Sequence, residues 1–356
     1  MYPSVEELTT EIPEEHKELL DHTAFVIVRP DALAMGHEIN LINEFAEHGL
    51  YVVGFKYQYV DERQMEELYR YTQHQMLENQ MRPLWWMTRE MYRISPTLLL
   101  LLGGHFNRGL FASCSEFVES LKGPSNPALT EPNHIRYRYR SLNVVLCTIH
   151  SSDDPKQMLR ESRIFFSAEE FLACMEHVKT SLRGKIPSPH SFLTKAALRW
   201  YEKPRRTGTF FDILVKVKMR ILGTLLDSPF GLDCDELQNL YSVMKDITSQ
   251  NLSYVEESEL IHPLLDQELR VLDRANGITE NSFRSSIKSM ALTIDQARLL
   301  VILKQFANYR HFEDVLFSDV REVIRRNLVV MDDWEALVLE SSFIFHNIQL
   351  SGYHVK

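Results

Sequence analysis

Cysteine is scarce in this chain, and the few residues present are widely separated. Cys114, Cys147, Cys174 and Cys234 show none of the paired spacings that zinc ligands have. We therefore expect no zinc site, and a cytoplasmic protein with free thiols is the simplest interpretation.

Long apolar runs and an excess of positive charge are also lacking. The longest leucine-rich run, residues 98–102, is much too short to cross a bilayer, and the acidic N-terminus lacks the basic start and apolar run of a signal peptide. A formal net charge of −10 disfavours sequence-independent binding to nucleic acid, which depends on clustered lysine and arginine. Neither a membrane nor a nucleic acid is therefore an expected partner.

The chain does have the length and composition of an ordinary two-domain protein. Its 356 residues exceed the usual size of one hydrophobic core, and 44% hydrophobic and 25% charged residues are typical of soluble globular proteins. A proline-rich, basic stretch near the middle indicates a boundary, and helical periodicity dominates after it. We predict an N-terminal extension (1–22), a first domain (23–181), a linker or boundary zone (182–208) and a helical domain (209–356).

The first domain alternates between strand and helix patterns. Its predicted strands are Thr23–Val28, Tyr51–Tyr59, Thr97–Leu102 and Leu142–Ile149. One predicted helix has an apolar face from Ile39 to Ala46. Three further helices are predicted at residues 62–77, 84–92 and 110–121. The order is βαββαβ with an inserted helical pair, so we predict an α+β fold: a ferredoxin-like antiparallel sheet covered by helices on one side, followed by a mostly α-helical domain.

Two helix starts follow the last predicted strand. Asp154 and Pro155 supply an N-cap and a proline at the first helical position. Ser167 and Glu170 form the pattern of a capping box. Both predict helices directly after His150.

His150 lies where the last strand gives way to a helix, a good position for a nucleophile at a sheet edge. A neutral imidazole can attack phosphorus, and a carboxylate that accepts its other N–H would fix the tautomer. Glu161, eleven residues later, is the candidate carboxylate. Spacing alone nevertheless favours a simpler interpretation, in which His150 ends a strand and the acidic residues after it only cap a helix.

A wider resemblance favours the functional interpretation. Residues 150–171 resemble, without a gap, the active-site segment of nucleoside diphosphate kinases, N-x-x-H-G-S-D followed by a helix and W-F-x-x-E-E-L. The matching residues are His150, Ser152, Asp153, Glu161, Phe166, Glu169 and Glu170. Upstream, residues 28–31 look like the family's K-P-D segment, 123–127 resemble its G-x-T-N-P turn, and Ile135-Arg136 resembles its I-R pair.

The resemblance implies a ping-pong reaction in which a nucleoside triphosphate such as ATP phosphorylates His150 and a second acceptor then takes the phosphoryl group. The implied catalytic residues are His150, Glu161 and Ser152. The implied nucleotide-binding residues are Arg29, Tyr69, Leu84, Trp85, Ser125, Asn126, Arg136 and Cys147. Mg²⁺ would be carried by the nucleotide phosphates, with Asp153 as a candidate contact, and a homo-oligomer is expected from the family.

The chain departs from the family pattern at several of these positions. Arg29 replaces a lysine, Cys147 an asparagine, Leu84 a phenylalanine, Ser125 a threonine and Ser151 a glycine. The largest chemical change is Glu119, which stands in place of a second phosphate-binding arginine and reverses the charge there.

Two hypotheses follow from this combination. One is a working phosphotransferase with an altered nucleotide or non-nucleotide acceptor, which the retained His150 and Glu161 favour. The other is a weak or inactive nucleotide-binding or scaffold protein, which Glu119 and Cys147 favour. The helical domain could cover the cleft, orient an acceptor or hold protomers together, and the sequence does not choose among these roles.

Overall fold

The computed structural model describes residues 2–70, 85–200, 206, 209–226, 232–250, 252–274 and 287–351, with backbone alone for 198–200, 287–293, 348–349 and 351. The chain divides into two compact units. The first comprises Met1–Ser125, Thr130–Ser141 and Val145–Arg206. The second comprises Asn126–Leu129, Leu142–Val144 and Thr207–Lys356.

A four-stranded sheet forms the centre of the first unit. The strands are β1 (Thr23–Val28), β2 (Leu50–Gln58), β3 (Thr97–Gly104) and β4 (Ile149–Ser151). They lie in the order β2-β3-β1-β4, and every neighbouring pair is antiparallel. This topology, together with the helical second unit, confirms the predicted fold class.

Helices of the first unit cover both faces of this sheet. They are α1 (Val5–Thr10), α2 (Glu14–Lys17), α3 (Pro30–Ala34), α4 (Glu38–Glu47), α5 (Glu62–Leu68), α6 (Trp85–Ile94), α7 (Cys114–Lys122), α8 (Ile135–Arg138), α9 (Pro155–Ser162), α10 (Ala168–Leu182) and α11 (Ser188–Trp200). Val26 shares one core with side chains of α4, α7 and α11, whereas Phe25, one residue earlier, stacks on Phe165 just after α9. The prediction of a sheet covered on one side was therefore wrong. The reason is visible in β1 and β3, whose residues are buried throughout rather than alternately.

The fourth strand is much shorter than predicted. The sequence pattern predicted a strand at Leu142–Ile149, but β4 begins only at Ile149 and includes His150. Thr148 has a positive φ of 68°, and its N–H donates to the Asp31 carboxylate at 2.7 Å instead of to a neighbouring strand. A β-branched residue rarely adopts this conformation, so the chain turns at Thr148 and enters the sheet late.

Both predicted helix starts are confirmed. Asp154 accepts the backbone N–H groups of Lys156 and Gln157, and Pro155 occupies the first position of α9. Ser167 and Glu170 form a complete capping box at the start of α10. These caps fix the helices that follow the strand carrying His150.

Residues 188–200, which lie in the predicted boundary zone, form helix α11. Pro189 stands in its first turn, where a proline is tolerated, so the proline content marks a helix start here. Leu193 is buried in the core beside β2. His190 Nδ1 accepts the N–H of Val52 at 3.3 Å, at the register shift of this edge strand. The helix thus satisfies a donor that the irregular edge leaves without a strand partner.

The second unit is helical, as the periodicity predicted. Its helices are α12 (Phe210–Leu225), α13 (Cys234–Thr248), α14 (Tyr254–Arg274), α15 (Ile287–Ala307), α16 (Phe317–Arg326) and α17 (Asp333–Ser351). Apolar residues of α12 and α13 are buried against one another and against the other helices. Among the described residues, no helix has both the length and the apolar character needed to span a bilayer.

A fully buried ion pair lies inside this helical unit. Lys218 Nζ of α12 lies 2.7 Å from Glu268 Oε2 of α14, and both side chains are 0% exposed. Tyr241 of α13 donates its hydroxyl to the other carboxylate oxygen at 2.8 Å. Burial lowers the pKa of Lys218, while the negative charge of Glu268 opposes this shift. The three polar side chains depend on one another because a buried charge needs hydrogen-bonding partners in place of water.

Replacing Lys218 with methionine should lower the free energy of unfolding by about 3–5 kcal/mol, since Glu268 would be left as an unpaired buried carboxylate. Urea denaturation measures this change. The matched control is Lys245→Met on the exposed face of α13, which should change stability by less than about 0.5 kcal/mol. A second change, Glu268→Leu, should restore part of the loss. Equal effects of Lys218→Met and Lys245→Met would contradict the assignment of this pair.

Candidate active site

His150 sits in the middle of β4, an edge strand that pairs with β1. Its Cα pairs with that of Ile27 in β1, and the N–H of Ser152 donates to the Phe25 carbonyl at 3.2 Å. The imidazole side chain is 18% exposed, so it is neither in the core nor free in solvent. The sheet therefore presents this histidine at a fixed place on its edge.

Glu161 of α9 lies against the ring. His150 Nε2 lies 2.8 Å from Glu161 Oε2, which also accepts the Ser152 hydroxyl at 2.7 Å. The other carboxylate oxygen accepts Gln157 Nε2 at 2.9 Å and Arg160 Nη2 at 3.1 Å. The eleven-residue separation is bridged because α9 folds back beside β4.

These contacts determine the tautomer of the histidine. Burial alone would raise the pKa of Glu161, but His150, Ser152 and Arg160 together lower it below its ordinary value. An ionised carboxylate can only accept, so Nε2 of His150 carries the proton and donates it. The lone pair of a neutral ring is then on Nδ1, which has no hydrogen-bond partner among the described residues. That nitrogen can act as a nucleophile.

Aromatic side chains line one side of the histidine. The Tyr69 ring meets His150 edge-on at a centroid distance of 5.7 Å and meets Trp85 edge-on at 5.5 Å. The Tyr69 hydroxyl is buried and lies 2.9 Å from that of Tyr92. Leu84, the residue predicted to take the place of a base-stacking phenylalanine, lies outside the described residues.

The two predicted phosphate-binding arginines are buried and hold the loop before β4. Arg29 donates to the Val145 carbonyl at 2.5 Å and to Cys147 Sγ at 3.2 Å. Arg136 donates to the carbonyls of Gly123, Cys147 and Ile149 at 2.7–3.0 Å. Most of their N–H groups are thus committed to protein atoms. These contacts secure the irregular segment that leads to His150.

The remaining predicted binding residues occupy different surroundings. Cys147 is 2% exposed, with its sulfur between Arg29 and Arg136. Ser125 is half-buried in the first unit. Asn126 belongs to the second unit, where its side chain accepts the N–H of Ala128 at 3.1 Å.

A charged pair on α7 lies next to β4. Glu119 Oε2 accepts the hydroxyl of Ser151, the residue after His150, at 3.1 Å, and it forms an ion pair with Lys122. Burial would raise the pKa of Glu119, but Lys122, Ser151 and Arg136 lower it. Asp153 is exposed, yet partial loss of hydration and then the nearby Glu119 raise its pKa, and Lys122 opposes this shift.

Sequence reasoning missed three side chains of this site. Gln157 and Arg160 fix the carboxylate of Glu161, and Lys122 supplies a buried cation beside Glu119. The four-residue spacing of Gln157 and Glu161 on one helix was an available signal. The three-residue spacing of Glu119 and Lys122 was a second such signal, whereas their place next to Ser151 follows from the contact of α7 with β4. Within the described residues, no group of three or more His, Cys, Asp or Glu side chains is arranged to hold a metal ion.

Comparison with known proteins identifies relatives of the first unit. The sequence model of the nucleoside diphosphate kinase family matches residues 22–171. A nucleoside diphosphate kinase of Fervidobacterium nodosum is 27% identical over 148 residues, which are 42% of this chain and 90% of that protein. One of Methanoculleus marisnigri is 29% identical over 153 residues, 43% of this chain and 92% of that protein. Among solved structures, a Halobacterium salinarum nucleoside diphosphate kinase in complex with CDP matches with a TM-score of 0.35 and 24% identity, over 42% of this chain and 90% of that one.

The matched segment includes the whole sheet, helices α3 to α9 and the His150 site. Both relatives are covered over most of their length, so the likeness spans a whole domain. Residues 22–171 therefore form a nucleoside-diphosphate-kinase-like domain, and through this part the chain is related to that family.

Proposed function

We propose that this chain is a phosphotransferase that moves a phosphoryl group from a nucleoside triphosphate, through a phosphohistidine at His150, to a second acceptor. The observation that carries the proposal is the bond from His150 Nε2 to the buried carboxylate of Glu161 at 2.8 Å. That bond leaves Nδ1 as the nucleophile of a neutral imidazole. A histidine with a merely structural role would have no need of a dedicated, fourfold hydrogen-bonded carboxylate.

The proposed reaction has two balanced steps. Nδ1 of His150 attacks the γ-phosphorus of the donor, the bond from that phosphorus to the bridging oxygen breaks, and a nucleoside diphosphate leaves. The ring gains positive charge and keeps its Nε2 proton, which Glu161 stabilises. In the second step an oxygen of the acceptor attacks the phosphorus, the P–N bond breaks and the neutral ring returns. Ser152 holds the carboxylate in place throughout.

We propose that Tyr69, Trp85 and Ser125 line the nucleotide site and that Cys147 stands near it. Arg29 and Arg136 shape the loop before His150 and add positive charge, which favours phosphate in a partly dry site. A Mg²⁺ ion bound to the phosphates would offset their charge. Asp153, an exposed carboxylate three residues after His150, fits a contact to such a hard cation.

A second candidate is a nucleotide-binding or scaffold protein with little or no transfer activity. The specific observation that favours it is the engagement of Arg29 and Arg136 with backbone carbonyls. In that case the arginines would only stabilise the loop. We further propose a cytoplasmic homo-oligomer, on the resemblance to the family and on the four free cysteines.

Incubation of the full chain with γ-³²P-labelled ATP and magnesium should leave a phosphoryl group that is stable in base and lost in acid, as a phosphoramidate is. The ³¹P NMR signal should identify phosphate on Nδ1 rather than on Nε2, because Nε2 is engaged by Glu161. Chase with a nucleoside diphosphate should remove the label if nucleotides are acceptors. Absence of label under saturating ATP would refute the enzyme proposal and favour the scaffold, and phosphate on Nε2 would refute the assigned nucleophile.

A further inference from the structure

Lys122 is a buried cation whose partner is a partly exposed anion. Its side chain is 7% exposed, whereas that of Glu119 is 41% exposed. Burial lowers the pKa of Lys122, nearby Arg136 lowers it further, and Glu119 opposes both. A buried ammonium next to a guanidinium requires an anion. The anion present here is a side chain that also reaches water.

The carboxylate of Glu119 is bound much as a phosphate oxygen would be. It accepts from Lys122 Nζ and, at 3.1 Å, from the Ser151 hydroxyl. Ser151 follows His150 directly in β4, so the bound carboxylate lies beside the strand that carries the candidate nucleophile. Arg136 contributes positive charge from nearby. Carboxylate and phosphate both satisfy such donors through anionic oxygens.

We propose that Lys122 and Ser151 form an anion subsite at β4, the strand that carries His150. Glu119 occupies this subsite in the free protein, and a phosphate of the bound nucleotide displaces Glu119 and takes its place. The inference rests on the proposed function and extends it, because it assigns the phosphate contact to Lys122 and Ser151, which the family resemblance did not mark as phosphate-binding residues. Glu119 then competes with its own ligand. Displacement needs only a rotation of a side chain that already reaches solvent, whereas Lys122 stays in place.

This subsite also accounts for the charge reversal at Glu119. Arg29 and Arg136 donate mainly to protein atoms, so they offer few free donors to a phosphate. Lys122, three residues after Glu119 on α7, returns a positive charge to the same region. The Glu119–Lys122 pair makes the subsite neutral in the free protein, and Lys122 remains as a cation when a phosphate displaces the carboxylate of Glu119.

Isothermal titration of the full chain with ADP tests the subsite without requiring phosphoryl transfer. Glu119→Gln should tighten ADP binding by about fivefold or more, since the competing charge is gone. Lys122→Met should weaken it by about tenfold, and the double variant should lose the gain from Glu119→Gln. Adenosine, which lacks phosphate, should bind all variants alike. The matched control is Glu116→Gln, an exposed carboxylate on the same helix, which changes the net charge equally but leaves ADP binding unchanged.

Several results would overturn the subsite. One is an ADP affinity that Lys122→Met does not change. Another is a gain in affinity from Glu119→Gln that Glu116→Gln reproduces, or that persists when Lys122 is also replaced. A third is that none of the chains binds ADP. Circular dichroism checks that each variant is folded. Labelled His150 with unaltered ADP affinities would refute the subsite and leave the proposed function standing. The expected affinities without any phosphohistidine would refute the enzyme and leave the subsite standing.

Discussion

Replacement of His150 by alanine should reduce the acid-labile ³²P label on the chain to the level of a control reaction without protein. Alanine offers no nitrogen to attack phosphorus, and no other described side chain contacts Glu161 as an imidazole does. Loss of a covalent nucleophile removes the whole intermediate rather than slowing one step. Filter-bound radioactivity after short incubation with labelled ATP measures this change.

The matched control for this variant is His48→Ala, which removes an exposed imidazole at the end of α4 in the same unit. It should be labelled as fast as the unmodified chain. ADP should still bind the His150→Ala chain, because the phosphate contacts do not depend on that ring. Equal labelling of His150→Ala and His48→Ala would place the phosphoryl group elsewhere.

Replacement of Glu161 by glutamine should slow labelling of His150 by on the order of 10²–10⁴-fold, the range in which a wrong tautomer disables a catalytic histidine. One carboxylate oxygen serves His150 and Ser152, and the other serves Gln157 and Arg160. A glutamine cannot accept at both ends. Arg160 always needs an acceptor, whereas imidazole and hydroxyl can reverse their roles, so the NH₂ group should face His150. The ring proton then moves to Nδ1 and occupies the attacking atom.

Nitrogen NMR of His150 separates this effect from a general loss of structure. The unmodified chain should carry its proton on Nε2, and the Glu161→Gln chain should carry it on Nδ1. The imperfect hydrogen bonds should lower the free energy of unfolding of the Glu161→Gln chain by about 1–3 kcal/mol, which leaves the domain folded. Glu169→Gln, an exposed carboxylate on α10, is the control and should change neither property. Undiminished labelling of the Glu161→Gln chain would remove this residue from the mechanism.

Local patterns predicted the parts of the fold that local forces decide. Strands β1 and β3 and the caps at Asp154 and Ser167 followed from apolar runs and from side chains that satisfy nearby backbone N–H groups. The length of β4 did not follow. Residues before Ile149 are apolar like a strand, but a hydrogen bond from Thr148 to the distant Asp31 bends the chain. No pattern within the segment reports that contact.

The site shows the same division. Spacing alone did not favour a pairing of His150 with Glu161, and only the family resemblance did. Gln157 and Arg160 complete that pairing because α9 folds back beside β4, and Glu119 reaches Ser151 because α7 packs against β4. The resemblance placed Glu119 at the position of a phosphate-binding arginine, where it reverses the charge. In the structure its ionic partner is Lys122.

The position of α11 bears on any attempt to study the first unit alone. Family resemblance ends near Phe171, and composition would suggest cutting the chain near residue 182. Such a cut would remove the helix that covers β2, strip Phe192 from Phe55, and uncover the N–H of Val52 at an outer strand. Exposed edge strands pair with strands of other molecules, and the protein then aggregates. We expect a fragment that ends there to be insoluble because β2 is exposed, and its loss of activity could then be mistaken for a catalytic defect. A fragment that continues through Arg206 retains α11 over β2.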